Sequence, residues 1–86
     1  MSQVSQIQTI REKIDSVNKQ LISLLLERKQ HSKDIGNIKK QLNIPVYDST
    51  REKNIYDSLK ANYPEDYDYL KPIFEAIILS SRNVQH

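Results

Sequence analysis

Between Ser5 and Gln41 the chain has no proline and a single glycine, Gly36. Its apolar residues recur there at helical spacing. Ile7, Ile10, Ile14, Val17, Leu21 and Leu24, then Ile35, Ile38 and Leu42, follow alternating steps of three and four. A helix of that extent is roughly 55 Å long at about 1.5 Å per residue. That is longer than a compact globule of 86 residues is wide. Two shorter helices of the same chain cannot cover the whole stripe. A second chain is the natural cover, by the logic of a coiled-coil seam.

The remaining punctuation is sparse: Pro45, Pro64 and Pro72 are the only prolines, so turns are few and elements long. The segment from Asn43 to Asp48 reads as a connector. A second helix follows, with Ser49 to Glu52 matching the Ser-x-x-Glu capping box, Asp48 or Ser49 as N-cap, and Ile55, Tyr56 and Leu59 on its apolar side. Asn62-Tyr63-Pro64 breaks it. Leu70, Ile73, Phe74, Ile77 and Ile78 mark a third helix, in which Pro72 demands either a start a few residues earlier or a kink. The reading is one all-α domain over residues 1–86, with helices at about 5–41, 49–61 and 66–84.

Hydrophobic residues at 37 % and charged residues at 28 % fit a folded globular chain rather than a disordered one. A chain this short buries a modest core and needs a staple or a partner. Without cysteine there is no disulfide or thiolate metal site, and His31 and His86 lack a ligand pattern, so oligomerisation is the support left. The net charge of +2, with both signs mixed, gives no ground for expecting nucleic acid. No apolar run approaches a membrane span and the N-terminus lacks a signal-peptide layout, so the expected location is the cytoplasm.

The informative residues are polar ones where the stripe calls for apolar ones. Past Leu24 the seam reaches Arg28 and His31 before resuming at Ile35. A guanidinium turned inward needs anionic partners. Lys39 lies eleven residues beyond Arg28, on nearly the same face and roughly 16 Å along the axis. Two long cationic side chains at that separation can close on a small anion, with Gly36 leaving space between them. The alternative is an internal salt bridge from Arg28 to a carboxylate such as Glu52, with Lys39 in solvent. On the third helix Ser81 and Gln85 are four apart and share a face. They offer a hydroxyl and a neutral amide to one pocket, or else belong to a fraying helix end. Arg11 is too far from Arg28, roughly 25 Å along a straight helix, to meet it on one ligand within one chain. It meets it only if a second long helix packs antiparallel; otherwise it is a surface arginine. Asp48, Arg51 and Glu52 open the second helix, whose N-terminus also offers free N–H groups to an anion or hydroxyl. His31 has no partners that would make it a general base and reads as a hydrogen-bonded interior histidine. Tyr63, Tyr67 and Tyr69 read as packing around the second turn.

The ordered series Ile10-Arg11-Glu12-Lys13-Ile14-Asp15, Leu24 to Arg28, Ile35-Gly36 with Lys39, Pro45-Val46 through Asp48, Arg51-Glu52, and Ile73-Phe74 through Ile77-Ile78 with Ser81 and Gln85 resembles the all-helical class of chorismate mutases. The likeness covers nearly the whole chain. It implies three helices per protomer and an intertwined, domain-exchanged homodimer with antiparallel first helices. Two equivalent active sites are implied, each completed by an arginine from the partner. Arg11 matches that crossing residue.

The implied activity is the pericyclic rearrangement of chorismate to prephenate, which feeds phenylalanine and tyrosine synthesis and needs no nucleophile, proton transfer, metal or cofactor. By position, Arg28 and the partner's Arg11 are implied to bind the two carboxylates. Lys39 and Gln85 are implied to hydrogen-bond the ether oxygen, and Lys39 also to reach a carboxylate. Glu52 and the backbone near Asp48 would hold the ring hydroxyl, Arg51 and Ser81 would shape the site around the ring carboxylate, and Ile35 and Val84 would wall it. Because Gln85 is neutral, little pH dependence is expected around neutrality. The nearest alternative on the same fold is an isochorismate pyruvate lyase; the alternative from another class is a non-catalytic helical dimerisation module.

Overall fold

A computed structural model describes residues 2–86. Helix α1 spans Gln3–Leu42, α2 spans Ser49–Asn62 and α3 spans Tyr67–Gln85. Among the described residues there is no strand, and no helix is long and apolar enough to cross a membrane. The chain forms two compact units, one ending at Gln30 and one spanning His31–His86.

The first unit is the N-terminal part of α1. The helix begins two residues earlier than its apolar pattern suggested, because Ser2 Oγ accepts from the Ser5 N–H at 3.1 Å and so caps the first turn. The Thr9 hydroxyl donates to the Ser5 carbonyl at 3.0 Å. Its apolar stripe is exposed: Ile10 is 55 % exposed, Val17 59 % and Leu24 63 %. Single exposed aliphatic residues are ordinary, but a continuous row of them is a surface made to be covered.

The second unit holds the C-terminal end of α1, α2 and α3. Helix α1 ends in a Schellman motif. Asn43 takes the left-handed conformation at φ 57°, Ile44 N–H donates to the Lys39 carbonyl at 2.8 Å, and Asn43 N–H donates to the Lys40 carbonyl at 3.4 Å. Asparagine tolerates that backbone better than most non-glycine residues. The reversal turns the chain into the connector that carries Val46 and Tyr47.

Helix α2 is capped one residue earlier than its capping box implied. Asp48 is the N-cap, and its Oδ1 accepts from the Arg51 N–H at 2.9 Å. The third helical position is therefore Arg51, so the Ser49–Glu52 capping box does not form. The aspartate captures the same orphan donor with a carboxylate, which the positive end of the helix dipole favours over a hydroxyl. One consequence matters for the site: Glu52 is released from capping.

Leu59 of α2 and Ile78 of α3, only 7 % and 4 % exposed, are the buried apolar side chains among the described residues. Each contributes roughly 1.5–3 kcal/mol, little against the conformational entropy of a chain this long. Helix α3 starts at Tyr67 and runs through Pro72, which forfeits one internal hydrogen bond. Two ammonium groups approach Tyr67, Lys60 and Lys71 Nζ each lying 6.0 Å from its ring centroid. Tyr63 and Tyr69 are instead largely exposed, so the expected tyrosine packing reduces to Tyr67.

Candidate active site

The site in the second unit is built where the end of α1 meets the end of α3. Gly36 is buried there because nothing larger fits. A Cβ at this position would lie 2.7 Å from both the Cα and the carbonyl oxygen of Gln85, and 3.1 Å from its carbonyl carbon. All three are backbone atoms, which cannot swing aside. The single glycine of the chain thus allows the last turn of α3 to lie directly on α1. Ser32, one turn earlier on α1, is also buried.

That close approach sets Lys39 beside Gln85. The half-buried Lys39 ammonium donates to Gln85 Oε1 at 3.1 Å and to the Val46 carbonyl at 2.9 Å. Lys39 is therefore not a solvent-facing lysine. Gln85 lies within α3, and its amide oxygen accepts from Lys39 of α1. Two of three ammonium protons are used within the protein. With Oε1 engaged by a cation, the Gln85 amide presents its NH₂ as the donor end.

A second cluster joins the connector, α2 and α3. Arg82 lies along the Glu52 carboxylate, Nη2 donating to Oε1 at 3.2 Å and Nε standing 2.9 Å from Oε2. The Nε–H is turned off the line to its oxygen, so that half of the pair is electrostatic rather than a directed hydrogen bond. The guanidinium carbon also lies over the Tyr47 ring, 5.1 Å from its centroid. The side chains of Arg82 and Glu52 are 37 % and 16 % exposed, so the carboxylate is the better shielded partner. Nearby, burial holds the Tyr56 hydroxyl above its ordinary value, with the Glu75 and Glu52 carboxylates adding to the effect and Arg82 opposing it.

The other residues singled out in the sequence fall as follows. Asp48 is committed as the α2 cap, and Arg51 beside it is exposed. The half-buried Ser81 donates its hydroxyl proton to the Ile77 carbonyl of its own helix at 3.0 Å. Val84 is half-buried and Ile35 about half exposed. His31 is exposed in the single chain rather than interior. Arg28 is half-buried and Arg11 exposed, both in the first unit.

Arg82 was not among the sequence candidates. The signal was present: Phe74, Ile78 and Arg82 succeed one another at steps of four, so an arginine interrupts the α3 stripe just as Arg28 interrupts that of α1. Following the stripe through Ser81 alone misses it.

The described residues define an all-helical protein in which an ammonium and a primary amide meet across two helices and a carboxylate is paired with a guanidinium across α2 and α3. The chain belongs to the chorismate mutase type II family, whose sequence profile matches residues 10–86. It is 40 % identical over 57 residues to the chorismate mutase of Methanocaldococcus jannaschii, a match that takes in 66 % of this chain and 58 % of that protein. It is 31 % identical over 85 residues to the bifunctional chorismate mutase/prephenate dehydratase of Escherichia coli K12, covering 94 % of this chain and 22 % of that one. Thus the chain spans a little over half the length of the first relative and about a fifth of the second. The solved structure of a conserved hypothetical protein from Pyrococcus furiosus superposes with a TM-score of 0.80 at 33 % identity, covering 94 % of this chain and 96 % of that one.

Proposed function

We propose that this chain catalyses the rearrangement of chorismate to prephenate, and that it does so as an intertwined homodimer with two shared sites. The observation that carries the reading is the Lys39–Gln85 pair. Charge builds on the ether oxygen of the substrate as its C–O bond breaks ahead of C–C bond formation. A third ammonium proton of Lys39 and the amide NH₂ of Gln85 supply a cation and a neutral donor to that oxygen. Both are already fixed by contacts within the protein, so they stabilise the transition state without reorganising.

The rest of the assignment follows the family pattern. Arg28 and Arg11 of the partner subunit each take one carboxylate of the dianion in bidentate fashion and hold the folded conformer in which the reacting carbons meet. Lys39 also reaches a carboxylate. Glu52, with the backbone near Asp48, receives the ring hydroxyl, while Arg51 and Ser81 border the ring carboxylate. The exposed row from Ile7 to Leu24 supports the dimer. A second copy laid antiparallel would cover the row and bring the partner's Arg11 toward Arg28.

The test is to mix the purified protein with chorismate and identify the product, with Arg28→Ala as control. Prephenate formation lost in the variant is the expected result. A folded protein that leaves chorismate untouched refutes the proposal. Release of pyruvate from isochorismate would then assign the lyase activity instead.

A further inference from the structure

Glu52 carries a charge that a site for a dianion has to offset. A shielded carboxylate at the edge of a site for a dianion repels the ligand that it is meant to hold. It also has to present its oxygen to the ring hydroxyl in one orientation. The structure places an answer to both at Arg82, which belongs to none of the roles assigned so far.

We propose that Arg82 is a positioning residue for Glu52: it balances the carboxylate's charge and fixes its plane so that Glu52 accepts the hydrogen bond of the substrate's ring hydroxyl. The inference rests on the mutase reading and on Glu52 as the hydroxyl's acceptor. Its support is geometric. The guanidinium faces both carboxylate oxygens, holding Oε1 by a directed Nη2–H bond at 3.2 Å and Oε2 by an electrostatic contact from Nε at 2.9 Å, which restricts how the carboxylate can turn. Each carboxylate oxygen has two lone-pair directions, so one contact from Arg82 to each leaves acceptor capacity for a ligand. Tyr47 backs the guanidinium at 5.1 Å, so the clamp is itself held. The release of Glu52 from the α2 cap, which Asp48 fulfils, makes the arrangement possible.

The experiment uses the full chain and two substrates: chorismate, and the analogue that lacks the ring hydroxyl. Arg82→Ala is expected to lower kcat/KM for chorismate about tenfold, the size of one misplaced hydrogen bond to a charged group. It is expected to leave kcat on the saturating hydroxyl-free analogue within about twofold of the parent, since Glu52 has nothing to hold there, while the unbalanced carboxylate raises KM for both dianions. In a Glu52→Gln background, Arg82→Ala is expected to add less than about a twofold further loss. Arg82→Lys keeps the charge without the fork, so it is expected to fall between the parent and the alanine variant on chorismate. It also serves as the test variant if Arg82→Ala fails to fold by circular dichroism. A merely structural arginine would lower kcat on both substrates equally and would keep doing so in the Glu52→Gln background. Either result overturns the proposal, as does an Arg82→Ala chain with the parent's rate on chorismate. A parent that turns over both substrates equally well removes Glu52's role. A parent inactive on chorismate removes the mutase reading itself, and that failure is told apart because it needs no variant.

Discussion

Gly36→Ala isolates the link between packing and chemistry. The added methyl would meet Gln85 Cα and O at 2.7 Å and C at 3.1 Å. Carbon atoms in contact prefer about 3.5–4.0 Å, so the last turn of α3 must recede by roughly 1 Å. The Lys39–Gln85 hydrogen bond, now 3.1 Å, opens by about the same amount and is lost. Two effects on stability oppose each other. Alanine is favoured over glycine inside a helix by roughly 0.5–1 kcal/mol, while overpacking costs about 1–3 kcal/mol. A net loss of about 1–2 kcal/mol leaves a folded protein, whereas a 1 Å displacement of a catalytic donor costs about a hundredfold in rate. The assay is kcat on saturating chorismate beside a thermal melt. A variant that retains kcat within about threefold of the parent with an unchanged Tm would refute the claim that this close approach places Gln85.

Three further outcomes follow from the same geometry. Gln85→Glu puts a carboxylate beside the Lys39 ammonium, which favours its ionised form and pulls its pKa below the usual glutamate range. It donates only when protonated, so the rate is expected to be about a hundredfold down at neutrality and to recover as pH falls, while the parent stays flat; equal rates at neutral pH would contradict this. Leu21→Lys, on the exposed face of α1, is expected to halve the sedimenting mass and abolish activity, and a parent that sediments as an active monomer at micromolar concentration would rule out shared sites. The Tyr56 hydroxyl sits above its ordinary 10.0, so the unfolded chain releases that proton first. Its contribution to stability is intact below pH 10 and is lost as pH rises through the folded value, which urea melts on either side of that range will show.

The three helices were legible because their cause is local. Apolar residues at steps of three and four, a Ser/Asp-rich start to α2 and prolines at the breaks act within a few residues of where they stand. Boundaries moved only by a residue or two: α1 begins at Gln3, where Ser2 caps it, while α2 begins at Ser49 as expected, behind its Asp48 cap. The bare stripe from Ile7 to Leu24 was equally readable, since helix length against chain length is arithmetic. So were Lys39 and Gln85 as residues out of place on an apolar face. Their meeting was not, because it depends on an approach of α1 and α3 that only a missing side chain permits. The role of Gly36 is written in the Gln85 backbone, far away in sequence. The same holds for Arg82, whose partner Glu52 lies on another helix. Periodicity tells which residues face inward. Which of them touch is decided by the packing of whole helices, and that is where a cation, an amide and a paired carboxylate become a site.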